Sequence, residues 1–274
     1  MKLTTSPFQL IAVDLDGTLL RSDHTIGTED LQALTACGEQ GIVRVAATGR
    51  SYYSAQRVLD ETTPIDYLVF SCGAGVLRWS DRELLHAQMF PPHEAQVIGD
   101  CLSALGHTFM VHTSIPDNHI FWHTPLGENP DLEARVAHYA QWTRGELSDE
   151  AYSMPVTQFL VSLLCSEAEF EALQERFMPL AETIRSTSPF LREYKWLELF
   201  PRGVNKGTGL EWLCRELGIA AEKCRVVGND YNDLAMLERF PQSYVVANAP
   251  APLRERFRVV RDHDACGVAE AVLR

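Results

Sequence analysis

Asp14 and Asp16 are separated by a single leucine and followed by Gly17 and Thr18. Carboxylates this close repel unless a cation joins them or one of them holds a proton. Both remedies are chemically useful. The first carboxylate can act as nucleophile and metal ligand, and the second can give a proton to a leaving oxygen and later take one from water. Gly17 allows a tight turn, and Thr18 can hold the second carboxylate. The plain alternative is a turn carrying two solvated aspartates. Three further polar groups recur downstream: Thr48, Gly49 and Arg50; Gly203, Asn205, Lys206 and Gly207; and the run Gly228, Asn229, Asp230, Tyr231, Asn232, Asp233. Read singly, these are a common turn, a solvated lysine and a helix cap.

The elements that position these groups follow from apolar patterning. Phe8 to Val13 is apolar throughout, as expected of a strand buried on both faces, and it stops at Asp14. A helix from Thr28, closed by Gly41, leads to a strand from Ile42 to Ala47, which ends at Thr48. A helix from about Ser51 to Leu59 then precedes a strand from Tyr67 to Phe70, followed by the polar and glycine-rich turn around Cys72. The same rhythm returns with a helix from Lys206 to Leu217, strands at Cys224 to Val227, Tyr244 to Ala247 and Arg258 to Val260, and a helix from Gly267. Alternation of this kind predicts an α/β fold with a doubly wound parallel sheet, whose ligands bind beyond the carboxyl ends of its strands. The polar groups stand at those ends.

Between residues 85 and 200 the texture changes. Strand-like stretches at Thr108 to His112, His119 to His123 and Gln158 to Cys165 alternate with helices near Pro92 to Leu105, Leu132 to Gln141 and Glu167 to Phe177. We read an inserted α+β domain over 85–200, with a core formed by 1–84 and 201–274. Trp122, Trp142 and the stretch Tyr194 to Trp196 read as its packing residues. His112, His119 and His123 with Asp117 resemble a zinc set, but strand geometry over Ile120 to Trp122 would splay them.

With 37 acidic against 24 basic residues the net charge is -13. That field disfavours nucleic acid and anionic membrane surfaces, and it requires a metal, a lysine or backbone amides wherever an anion is handled. No run approaches the length of a membrane span. Seven cysteines lack any Cys-x-x-Cys pair, which suits a reducing cytoplasm. Lys2 precedes an apolar stretch too short for a signal peptide.

Taken in order, Asp14-Leu15-Asp16-Gly17-Thr18, Ala47-Thr48-Gly49-Arg50, Asn205-Lys206-Gly207 and Gly228-Asn229-Asp230-Tyr231-Asn232-Asp233 resemble the four motifs of haloacid-dehalogenase-type hydrolases. The insertion after the third core strand is similar to the Cof-type subgroup with a C2-type cap. The resemblance implies a Rossmann-like core and a Mg2+-dependent phosphatase acting on a small phosphorylated metabolite, a sugar phosphate in the first instance. It implies catalytic roles for Asp14, Asp16 and Lys206, and phosphoryl or substrate contacts from Thr48, Gly49, Arg50, Asn232 and Asn248. The metal would be held by Asp14, Asp16 through its carbonyl and Asn229, with Asp233 direct or through water; with an amide at 229, a larger share falling to Asp230 or Asp233 is the alternative. Two positions depart from the pattern: Asn229 stands where the family more often has aspartate, and Cys72 where related chains often have asparagine. Other readings are a sugar phosphomutase and a metabolite-binding regulatory protein with little turnover. Neither substrate identity nor oligomeric state follows from these residues.

Overall fold

The computed structural model describes residues 8–274, so Lys2 lies outside the described residues. The first elements are β1 (Leu10–Val13), α1 (Thr28–Glu39), β2 (Val43–Ala47), α2 (Tyr52–Ala55), β3 (Tyr67–Phe70), β4 (Gly75–Arg78) and β5 (Leu84–Ala87). There follow α3 (Pro92–Ala104), β6 (Phe109–His112), β7 (Phe121–His123), α4 (Pro130–His138), β8 (Thr143–Glu146), β9 (Gln158–Leu163), α5 (Glu167–Phe177), β10 (Glu182–Thr187) and β11 (Lys195–Phe200). The last are α6 (Lys206–Leu217), β12 (Cys224–Gly228), α7 (Leu234–Arg239), β13 (Gln242–Val246), α8 (Ala251–Arg256), β14 (Arg258–Val260) and α9 (Gly267–Leu273). By contacts the described residues divide into unit 1, which runs to Arg50 and includes Ser54–His86 and Asn205–Arg274, and unit 2, Ser51–Tyr53 and Ala87–Val204.

Unit 1 is built on an eight-stranded sheet in the order β14-β13-β12-β1-β2-β3-β4-β5. The pairs from β14 to β3 are parallel, and β4 returns antiparallel on β3. All of β1 is buried, as the apolar run predicts for a strand covered on both faces. Leu10 and Ala12 pack with Leu210 and Leu213 of α6 and Met236 and Leu237 of α7. Strand alternation turns Ile11 and Val13 the other way. From β1 the chain moves outward through β2 and β3, and from β12 it moves outward through β13 and β14. The adjacent carboxyl ends of β1 and β12 are therefore the topological switch point, where open α/β sheets bind ligands.

Unit 2 carries a six-stranded sheet in the order β10-β11-β9-β6-β7-β8, antiparallel except for β7 on β8. Alternation sorts its faces. Phe109, Val111, Phe159, Val161, Leu197 and Leu199 pack with α3 and α5, whereas Met110, Leu160 and Trp196 pack with Leu132 of α4. Each fully buried phenylalanine of this kind contributes about 1.5–3 kcal/mol.

The structure departs from the sequence reading locally. The expected helix from Ser51 to Leu59 is α2 alone, because the amides of Arg57 and Val58 bond back three residues, to Ser54 and Ala55, in tightened turns. The fourth helix begins earlier, since the Asn129 side chain accepts from Leu132 N and Pro130 follows at the first helical position. Strands β4, β8 and β10 had no counterpart in that reading; β8 is short and at most half-buried, so its sequence carries little alternation. All seven cysteines are free thiols, and no helix among the described residues is long and apolar enough to cross a membrane.

Candidate active site

Asp14 follows β1 directly, and its amide donates to Val227 O of β12 at 2.9 Å, so the backbone ladder holds the residue at the switch point. Its side chain is buried against Lys206, whose Nζ donates to Asp14 Oδ1 and Asp233 Oδ1, each at 2.7 Å, and to Asn232 Oδ1 at 3.2 Å. Lys206 is wholly buried. Its position follows from local sequence: Asn205 caps α6, accepting from Thr208 N at 3.0 Å while Thr208 Oγ1 accepts from Asn205 N at 3.0 Å, which makes Lys206 the first helical residue. The turn between β3 and β4 presses against this cap. A Cβ on Gly73 would stand 2.2 Å from Asn205 O, so only glycine fits there.

Burial opposes the charge on Lys206, but the carboxylates of Asp14 and Asp233 outweigh it and hold the ammonium above the ordinary lysine range. Burial, then the nearby Asp233, pushes the Asp14 carboxyl above its usual range, with Lys206 offsetting part of that rise. The lysine is thus the local positive charge that an acidic chain needs where it handles an anion.

Asp16 is paired not with Asp14 but with Arg50. The guanidinium grips it as a fork, Nε to Oδ2 at 2.7 Å and Nη2 to Oδ1 at 2.6 Å, and also donates to Ser54 Oγ at 3.1 Å. Such bidentate pairs fix orientation as well as position. The Thr48 hydroxyl accepts from Arg50 N at 3.1 Å, and Thr48 itself is buried. A Cβ on Gly49 would lie 3.4 Å from both Asn232 Nδ2 and Cys72 Sγ, so these groups close around the Thr48 loop. Cys72 is fully buried with its amide on Thr48 O at 3.0 Å, a packed residue in left-handed backbone at φ 50°.

The loop after β12 is held by Asp233. Its Oδ2 accepts from Asn229 N at 2.8 Å and Asp230 N at 3.1 Å, while Oδ1 takes Lys206. Three of its roughly four acceptor positions are therefore used within the protein. Asn229 Oδ1 accepts only a weak bond from Thr18 Oγ1, at 3.2 Å. Gly17 has φ +72°, and a Cβ there would stand 2.6 Å from Asn229 Nδ2. The close approach of the Asp16 loop to Asn229 thus depends on that glycine. Asn248 donates to Gly17 O at 2.8 Å and accepts from His263 N at 3.3 Å, so it buttresses the loop. The structure brings Asp14, Lys206, Asn232 and Asp233 into one hydrogen-bonded group and links Thr18 to Asn229, Asp16 to Arg50, and Asn248 to Gly17.

For a divalent cation the donor set is of the hard-oxygen type that Mg2+ takes: the Asp14 carboxylate, the Asn229 amide oxygen and the carbonyl of Asp16 on the same loop. These residues fit such an ion. Sequence reasoning missed the Arg50 fork on Asp16 and a second strut, Ser22 N and Oγ donating to Asp264 at 2.9 and 2.8 Å. Ser22 and Asp264 are 242 positions apart, with no local pattern to announce the contact.

His112 and His123 each bond a backbone carbonyl, Asn118 O and Thr124 O, at 2.8 Å. The two lie on neighbouring strands, opposite Phe121 and Met110 respectively.

Comparison with known proteins agrees with this geometry. The family model described as haloacid dehalogenase-like hydrolase matches residues 11–272. A protein named HMP-PP phosphatase from Serratia proteamaculans is 30% identical over 257 residues, covering 90% of this chain and 86% of the relative. One of the same name from Cronobacter sakazakii is 30% identical over 246 residues, covering 88% and 85%. Among solved structures, a haloalkanoate-superfamily phosphatase from Bacteroides thetaiotaomicron superposes with a TM-score of 0.81 at 19% identity, covering 100% of this chain and 97% of its own. A subclass IIB sugar phosphatase gives 0.76 at 19% identity over 97% and 98%. The chain belongs to the haloacid dehalogenase-like hydrolases.

Proposed function

We propose that this protein is a Mg2+-dependent phosphatase that hydrolyses a small phosphorylated metabolite through an aspartyl phosphate on Asp14. The observation that carries the reading is the buried lysine bridging Asp14 and Asp233 at 2.7 Å each, at the switch point of the sheet. An ammonium fixed there before substrate arrives stabilises charge that builds up during transfer.

In this mechanism a carboxylate oxygen of Asp14 attacks phosphorus while the Thr48 hydroxyl and the Gly49 amide receive the phosphoryl oxygens. Asp16, once released from its fork with Arg50 and protonated, gives its proton to the departing oxygen and then accepts one from the water that cleaves the acyl phosphate. In the resting site Arg50 holds Asp16 as a carboxylate. Asn232 and Lys206 stand beside the nucleophile, and Asn248 supports the Asp16 loop through Gly17. Mg2+, when held by Asp14, Asn229 and the Asp16 carbonyl, would neutralise phosphoryl charge. Asp233 orders the Asn229 loop and Lys206.

The relatives named HMP-PP phosphatase and the sugar phosphatase neighbour support a small phosphorylated metabolite as substrate. The test is release of inorganic phosphate from a panel that includes HMP-PP and sugar phosphates, with Mg2+ and with chelator. Turnover of at least one member, lost with chelator and in Asp14→Asn, is expected. No release from any member, or release that survives Asp14→Asn, would overturn the reading.

A further inference from the structure

Unit 2 holds a second group of polar side chains that phosphoryl chemistry does not use. On the sheet face turned away from α3 and α5, His112 of β6 is directly opposite Gln158 of β9, and Gln158 Nε2 donates to Glu198 Oε2 of β11 at 3.0 Å. All three side chains are at least nine-tenths buried. Buried polar atoms are nearly always paired. Here, however, His112 Nε2, Arg135 Nε, His119 Nδ1 and Trp142 Nε1 find no partner in the protein.

These atoms belong to one neighbourhood. The His119 ring meets Trp142 edge-on at 4.6 Å, and Tyr53, of the same unit, stacks on His119 at 4.3 Å. The Arg135 guanidinium lies over the ring of Trp196 at 4.6 Å and that of Tyr139 at 5.3 Å. Arg135 and His119 both act electrostatically on His112. His112 is buried, whereas His119, Arg135 and Trp142 are only half-buried.

The polarity of three of these atoms, all but His119 Nδ1, can be assigned. His112 Nδ1 is 2.8 Å from the Asn118 carbonyl, which can only accept, so Nδ1 carries the proton. Burial, reinforced by Arg135, pushes the pKa of His112 down to about 3, and its Nε2 is a bare acceptor. Arg135 Nε and Trp142 Nε1 are donors. A matching ligand therefore presents one donor and two acceptors against aromatic rings. An anion would supply no donor to His112 and would meet the carboxylate of Glu198.

We propose that this face of unit 2 is a binding site for a flat, uncharged ring bearing both an N–H donor and acceptor atoms, an amino-substituted nitrogen heterocycle, with His112 accepting and Arg135 and Trp142 donating. Two sources share that chemistry: the organic part of the substrate, in which case the inference rests on the phosphatase reading, and a separate small ligand.

Saturation-transfer NMR on the full chain tests it, with cytosine as probe and D-glucose as comparison. Saturable transfer to the cytosine ring protons is expected, weaker by about tenfold in His112→Phe and in Arg135→Met, the loss of one buried hydrogen bond. Arg135 is half-buried, so its variant keeps the test open should His112→Phe fail to fold. No saturable transfer to cytosine, equal transfer in both variants, or saturable transfer to D-glucose instead would overturn the proposal. Hydrolysis of p-nitrophenyl phosphate, measured alongside, separates the sources. Competitive inhibition by cytosine assigns the site to the substrate's organic part, and binding without inhibition assigns it to a separate ligand; both support the site. Absence of hydrolysis with cytosine binding intact would count against the phosphatase reading and leave the site standing.

Discussion

Replacing Lys206 by methionine keeps the length and apolar stem of the side chain and removes only the charge between Asp14 and Asp233. In the wild type that ammonium stands 2.7 Å from an oxygen of each carboxylate, with no exposure to solvent. Removing one partner of a buried ion pair costs about 3–5 kcal/mol, because the remaining charges stay uncompensated. Asp14 has a way to reduce that cost, by taking up a proton. Its folded pKa already lies above the unfolded value of 3.8, and without the lysine it rises further. A raised acid pKa means that the folded state binds the proton more tightly, so stability is retained at low pH and lost as pH rises through the folded pKa. The stability gap between wild type and Lys206→Met should therefore widen from pH 6 to pH 8, by on the order of 1–2 kcal/mol. Urea unfolding at the two pH values in metal-free buffer measures the gap. Phosphate release per folded molecule should fall by roughly 100- to 1000-fold. Equal destabilisation at both pH values, or unchanged release per folded molecule, would refute the reasoning.

Asp14→Asn should keep the fold and lose turnover by at least about 1000-fold, since an amide cannot attack phosphorus; steady-state phosphate release with circular dichroism on the same sample checks both halves. Asn229→Asp adds an anionic oxygen at nearly constant size and should lower the Mg2+ concentration for half-activation, while Asn229→Ala should raise it; unchanged midpoints in both variants would remove Asn229 from the metal site. Asp30 concerns stability alone: burial lifts its pKa from 3.8 to about 6, although its Oδ1 accepts from Ala269 N at 2.7 Å. The folded state thus holds this proton more tightly, and stability should decline as pH rises from about 4 to about 6 and level off above, by up to about 3 kcal/mol. Asp30→Asn should flatten that slope in unfolding curves, and an identical slope in the variant would assign it to another group.

Much of the candidate site's placement was legible in the residues because it is written locally. An apolar run buried on both faces must be a central strand, the polar residue after it must stand at the strand's carboxyl end, and Asn205 with Thr208 must start a helix at Lys206. Those rules act within a few residues and place Asp14, Thr48, Lys206 and Asn229 at strand or helix ends, while their roles were implied by the resemblance of the ordered motifs. What they leave open is which side chain faces which. Asp16 beside Asp14 in sequence suggested carboxylates sharing a proton, but Arg50, 34 positions away, takes Asp16 as a bidentate partner instead. Asn248 read as a substrate contact, and the fold gives its amide to Gly17 O. Asp233 read as a metal ligand, direct or through water, and the fold also makes it the acceptor for Lys206 and two backbone amides. In unit 2, the polar face that gathers His112, Gln158 and Glu198 arises from the pairing of β6, β9 and β11, whose register is a property of the assembled sheet. The sequence by itself determined the strand-end placement of the reactive groups, since periodicity and helix capping are short-range. The tertiary structure alone decided their partners, because hydrogen bonds and ion pairs form between whatever atoms the packed elements bring within about 3 Å, and chain separation says nothing about that distance.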